Sequence, residues 1–211
     1  MQRIHTFMVA LILVVGFAVD GFAQLGTFSK AQRADLTREW RGVRFDDARS
    51  KVPEDTIRRL RNVSAEQAWG VLRRNGYNNQ FEGGWKVINP GEERLVGRVV
   101  TAVFMPLRPD VDGVINDHGK REGRVGSGQN SWVIDTLVPG DVLVVDLFGK
   151  IKDGTFAGDN LATSIFAKSG TGLIVDGSVR DLSGIQEIEG FRGYVRDFDP
   201  SAIAEVMLVG I

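Results

Sequence analysis

The chain has 211 residues, with 26 Lys or Arg against 27 Asp or Glu, for a formal net charge of −1. That balance offers no basic face, so no nucleic-acid partner is expected. It has no Cys and two His, which rules out disulfides, thiolate metal sites and Cys nucleophiles, and leaves any metal to oxygen ligands, favouring Mg²⁺ or Mn²⁺ over zinc.

Residues 1–23 read as a secretory signal peptide. Arg3 supplies the positive start, Phe7 to Val19 is an apolar run, and Gly21 and Ala23 are the small residues at the cleavage positions. The run is short for a bilayer span. The protein is therefore expected to be exported, periplasmic or secreted, with cleavage before Gln24 and no stable membrane span afterwards. A retained N-terminal anchor is the alternative. Cleavage also removes His5 and leaves His118 alone, too few histidines for a multi-histidine zinc site.

Residues 24–60 are expected to form a helical arm. Ser29 can cap a helix running through Ala31, Leu36 and Trp40. Pro53 starts a second, with Glu54 and Asp55 in its first turn and Arg58 and Arg59 toward its end, the order the helix dipole favours. The arm is read as an amphipathic segment packed on the domain or on a neighbour.

A domain is expected over 61–211. Ser64-Ala65-Glu66-Gln67 fits a capping box, Ala68, Val71 and Leu72 make an apolar stripe, and Gly76 stops the helix. Tyr77 to Trp85 reads as a loop and Asn89-Pro90-Gly91 as a turn. Leu95 to Leu107 is β-rich, with Pro106 marking its end or an edge. Residues 108–130 are rich in glycine and charge and read as a long exposed loop carrying His118, read as solvated. Gly123 to Gly128 has the flavour of a phosphate loop but lacks a Walker lysine, and is read as a turn.

Val138-Pro139-Gly140-Asp141 is a turn leading into Val142 to Val145, an apolar run suited to a strand buried on both faces. Phe148 to Phe156 reads as a connection. A helix from about Asn160 to Lys168, a break at Gly170 and Gly172, and a strand from Leu173 to Val175 ended by Gly177 complete a βαβ unit. A short helix near Ile185, a strand around Tyr194 to Arg196 and the start of another at Val206 close the chain.

The candidate site lies in Gly158 to Asp181. Gly158-Asp159-Asn160 opens a helix, whose first N–H groups lack internal partners and whose dipole is positive there, a natural seat for a carboxylate. The bland alternative is that Asp159 only caps the helix. Arg180 and Asp181 lie beyond the carboxyl end of a parallel strand, where ligands of such sheets gather. Arg180 suits a carboxylate and Asp181 a hard cation, although a surface ion pair is the plain reading of the two.

Asp159 and Arg180-Asp181, together with P-G-D-V-L-V-V-D (139–146), G-D-N-L-A (158–162) and G-L-I-V-D-G-S-V-R-D (172–181), resemble the RraA-like family. That family includes class II 4-hydroxy-4-methyl-2-oxoglutarate aldolases that also decarboxylate oxaloacetate. The likeness extends weakly to Ser64 and P-G-E-E-R-L-V-G (90–97). It implies an α/β fold with a swivelling β/β/α, phosphohistidine-domain-like core, and a homotrimer. It also implies a small 2-keto acid bound by Gly158, Asp159, Asn160, Leu161 and Arg180, with Arg180 and Asp159 catalytic. Asp181 would hold Mg²⁺ or Mn²⁺, and Asp159 the metal's water shell. Lys168 is not needed as a Schiff base. Family members usually continue past the position of Ile211, so the domain is expected to end early. Some relatives bind and inhibit a ribonuclease instead of doing chemistry, and a non-catalytic binding protein is the alternative.

Overall fold

The computed structural model describes residues 28–91, 94–126 and 128–211. The signal-peptide reading of 1–23 lies outside them. Among the described residues no helix is long and apolar enough to cross a membrane.

Four parallel strands form the centre: β2 (Arg98–Pro106), β3 (Asp141–Thr155), β4 (Gly172–Val179) and β5 (Arg192–Phe198). Two antiparallel strands close the edges, β1 (Lys86–Val87) beside β5 and β6 (Val206–Gly210) beside β2. The result is one six-stranded mixed sheet in the order β1-β5-β4-β3-β2-β6. Burial alternates along β2: Val100, Ala102 and Phe104 are buried, whereas Val99 and Val103 are exposed. On the buried face lie α4 (Pro109–Arg121), α5 (Gln129–Ile134), α6 (Asp159–Ser169) and α7 (Leu182–Gln186), which contribute Ile115, Trp132, Val133, Ile165 and Ile185 to the core. Phe104 meets Phe156 edge-on at 5.9 Å between ring centres. The expected βαβ unit is β3-α6-β4, with Leu143, Val145, Leu173, Val175 and Ile165 all buried within it.

The other face carries α2 (Glu54–Leu60) and α3 (Ala65–Arg74), between which and Val144 and Ile174 lies an open cleft of about 830 Å³. Both sides of the Ser64/Gln67 capping box are present. Trp69 is exposed and stacks under Arg73 at 4.9 Å. The arm begins with α1 (Lys30–Leu36), capped by Ser29 and Gln32. It ends before Trp40, whose indole instead donates to the Val43 carbonyl at 2.9 Å.

Three expectations change. Residues 109–121, expected as loop, are the helix α4: Pro109 sits in its first turn with Asp110 and Asp112, and Lys120 and Arg121 close it, so capping and dipole order outweigh the glycines. Gly119 is kept free of a side chain by the Trp132 ring packed against it. The connection at 148–155 belongs to β3, which bulges between Asp146 and Lys150, with Phe148 and Gly149 both at positive φ, before its pairing with β4 resumes. β4 passes through Gly177 to Val179 instead of stopping there.

The arm is fastened by charge. Asp141 is fully buried, accepts from the Val138 N–H at 3.0 Å and from Arg49 Nη1 at 2.9 Å, and has Arg98 Nε at 3.6 Å. Arg98 is its register partner across β2 and β3 and also reaches Glu54 at 2.8 Å. Phe45 of the arm lies under both guanidiniums, 5.3 Å from each. Asp47 accepts from Arg49 Nε at 2.6 Å. The segment carrying Phe45, Asp47 and Arg49 is thus clamped to the starts of β2 and β3.

Candidate functional site

The two halves of the motif meet at Gly158. It is the N-cap of α6, buried, with extended backbone. A Cβ there would collide with Asp181 Oδ2 and stand 3.2 Å from Arg180 Nε and 3.3 Å from Arg180 Cγ. Only a residue without a side chain lets the loop before α6 approach the loop after β4 this closely. The Arg180 N–H donates to the Ala157 carbonyl at 3.1 Å and fixes the crossing. Asp181 then takes a left-handed conformation (φ 53°), which Asp tolerates better than most residues.

Asp159 is the first residue of the helix and not its cap. Its carboxylate accepts from the Asn160 N–H at 2.7 Å, which engages one of the first-turn donors assigned to substrate. The first intrahelical bond at this end runs from the Ala162 N–H to the Gly158 carbonyl, which leaves the Leu161 N–H within the open first turn. The other side of Asp159 rests on Gly184 of α7, where an added Cβ would come within 2.9 Å of its Oδ2. Gly184 is the part of the site that the sequence reading missed; its only signal is its place three residues beyond Asp181.

Gly158, Asp159, Arg180 and Asp181 therefore share one locus, with Asn160 exposed beside it and Leu161 half-buried. Arg180 Nε lies 3.6 Å from Asp181 Oδ2, and both side chains are close to half exposed. A pair in that setting contributes little to stability, so both groups remain open to solvent and to a ligand. His118 lies on α4, outside this locus, and Lys168 pairs with Asp135 at 3.1 Å.

Among the described residues no group of three or more His, Cys, Asp or Glu is gathered to hold a metal. A closed all-protein site is thus not what these residues make. Two carboxylates at a glycine-lined crossing fit a hard cation that keeps most of its water, as Mg²⁺ does. They do not fit zinc, which seeks nitrogen or sulfur donors.

A helix N-terminus and an Arg-Asp pair thus meet at the carboxyl end of the central parallel strands of a mixed α/β sheet. The sequence profile of the RraA-like family, described as Aldolase/RraA, matches residues 56–204. The chain belongs to that family. Among solved structures it is similar to RraAS2 of Streptomyces coelicolor, described as an unusual member of the RNase ES inhibitor RraA protein family. The identity is 26% and the TM-score 0.60, over 76% of this chain and 73% of that one. It also shares its fold with an uncharacterized protein from Pseudomonas syringae pv. tomato, at 18% identity and a TM-score of 0.57, over 79% of this chain and 66% of that one. A structure described as novel cellulases from microbes associated with the gut ecosystem matches in fold at 14% identity and a TM-score of 0.57, over 83% and 72%.

Proposed function

We propose that the protein is a divalent-metal-dependent lyase that cleaves or decarboxylates 2-keto acids, such as 4-hydroxy-4-methyl-2-oxoglutarate and oxaloacetate, to pyruvate through an enolate. The observation that carries the reading is the close approach of Gly158 to Arg180 and Asp181. It brings a helix N-terminus, a guanidinium and a half-exposed carboxylate around one point. The Leu161 N–H and the dipole of α6 bind the substrate carboxylate, and Arg180 adds positive charge where the enolate develops. Asp181 is the metal ligand, and Asp159, braced by Gly184 and the Asn160 N–H, orients the water around it. When bound, Mg²⁺ or Mn²⁺ supplies Lewis-acid polarisation of the 2-keto oxygen. A swivelling β/β/α core, a homotrimer and export belong to the same reading.

The second reading, a non-catalytic binding protein, is favoured by the likeness to RraAS2, a member of a family described as ribonuclease inhibitors. A coupled pyruvate-release assay separates the two. With oxaloacetate, release is expected to need Mg²⁺, to stop with EDTA and to be lost in Asp181→Ala. Release that is indifferent to metal, or equal in Asp181→Ala, rules out the lyase as stated. No release from a folded protein favours the binding reading.

A further inference from the structure

We infer that Asn130, at the start of α5, is a positioning residue for the site at Gly158, holding the loop before α6 through the Phe156 carbonyl. The inference deepens the lyase reading and rests on it for its chemistry. Asn130 ends a stretch expected from sequence to be exposed loop, yet it is only 6% exposed. A carboxamide is costly to bury unless its polar atoms are bonded. Here both ends are engaged. Nδ2 donates to the Phe156 carbonyl at 2.8 Å, and Oδ1 accepts from the Ser131 N–H at 3.1 Å. An acceptor at Phe156 and a donor at Ser131 fix which way the amide faces. Gly128 leaves room for it, since a Cβ there would collide with Oδ1.

Phe156 needs such a partner because of the way the strands separate. The Phe156 N–H donates to the Ser178 carbonyl at 2.9 Å. In a regular parallel ladder the next bond would return from the Arg180 N–H to the Phe156 carbonyl. It goes instead to the Ala157 carbonyl, at 3.1 Å. The ladder thus slips by one residue where β3 hands over to α6, as bulges beside functional sites do. The slip accompanies the close approach of Gly158 to Arg180 and Asp181. It also frees the carbonyl of Phe156, a residue with no exposed surface. Ala157 and Gly158 are buried as well, and an unpaired carbonyl in that setting would pull the chain back toward the regular register. Asn130 removes that penalty. It acts through the Phe156 backbone and not on the substrate.

The test compares the full-length parent with Asn130→Ala, which removes the amide, and Asn130→Asp, which keeps its shape but loses the donor. Asn130→Leu replaces the latter if a buried carboxylate prevents folding. Amide hydrogen exchange followed by NMR needs no enzymatic activity. The Phe156 and Arg180 amides should exchange about tenfold faster or more in each variant, while amides of β2 keep the parent's rates. In the pyruvate-release assay kcat per folded molecule should fall by about a hundredfold, the size of a misplacement of about 1 Å, with KM changing far less, because the displaced groups act on developing charge. A side chain that only fills space would give the parent's kcat in Asn130→Asp. One that only stabilises the fold would lower the urea midpoint and leave kcat unchanged. Either result overturns the inference, as does the parent's exchange rate at Arg180 in a folded Asn130→Ala. A parent that releases no pyruvate removes the lyase reading alone, and exchange at Arg180 then decides whether Asn130 holds the site.

Discussion

Replacing Arg49 by alanine tests whether the arm is fastened by a buried charge or merely rests on the domain. In the folded protein Arg49 bridges two carboxylates, giving Nη1 to Asp141 at 2.9 Å and Nε to Asp47 at 2.6 Å. Asp141 has no exposed surface, and its Oδ1 has no hydrogen-bond partner, so its charge is compensated through Arg49, the Val138 N–H and the more distant Arg98. Breaking a buried pair from one side costs about 3–5 kcal/mol because the remaining charge stays buried. Arg98 stays in place and Arg49 is one-fifth exposed, which lowers the expected loss to about 2–3 kcal/mol. Urea denaturation reads this as a lower midpoint at unchanged slope. Arg49→Lys should recover only part of the loss, because one ammonium cannot serve both carboxylates. The double variant Arg49→Met with Asp141→Asn should be more stable than the sum of its singles, since the buried charge goes with its partner. A loss below about 1 kcal/mol for Arg49→Ala, the size of an exposed pair, would refute the reasoning.

Gly158→Ala should leave the fold intact, because the atom it strikes is the end of a half-exposed Asp181 side chain that can swing away; pyruvate release should nonetheless fall by about a hundredfold, the size of a misplacement of about 1 Å, and unchanged release would detach Gly158 from the site. Two substitutions in α4 should act in opposite directions on the same urea curve. Gly113→Ala meets nothing within 4 Å and should stabilise by up to about 1 kcal/mol, whereas Gly119→Ala drives a methyl into Trp132 and should cost about 1–3 kcal/mol. Burial pushes the Asp47 carboxyl up, but hydrogen bonds from Arg49 and the charges of Arg49 and Arg33 together hold it below its ordinary 3.8. A depressed value means that its contribution is present above the ordinary value and lost as pH falls through the folded one. Acid unfolding of the parent should therefore show a loss below about pH 4 that is smaller in Asp47→Asn, and carbon NMR should find Asp47 titrating higher in Arg49→Ala.

The sequence was most legible where structure is local. The helix cap at Ser29, the capping box at Ser64, the apolar run Val142 to Val145 and the crossover at α6 all depend on neighbours a few residues apart. The juxtaposition of Gly158 with Arg180 and Asp181 followed from strand direction, since a helix start and a strand end fall on one edge of a parallel unit. What stayed hidden was non-local. Gly119 weakens α4 by propensity, and only the packed Trp132 ring explains it. Asp141 reads as a turn residue in P-G-D, and nothing near it announces a buried carboxylate matched by an arginine in the arm. Gly184 looks like any glycine in a short helix until Asp159 is found against it.

The Arg49–Asp141 contact spans 92 residues of chain, and this sets an order of events during synthesis. At ordinary elongation rates the arm is made roughly 5–20 seconds before its seat. Until β2 and β3 pair, Phe45 and the arginines around it have nowhere to lodge. Closing so long a loop is also among the entropically dearer steps of the fold. The arm thus leaves the ribosome before its seat exists, and a nascent chain stalled before residue 141 presents it as an unseated, cationic segment to whatever handles it.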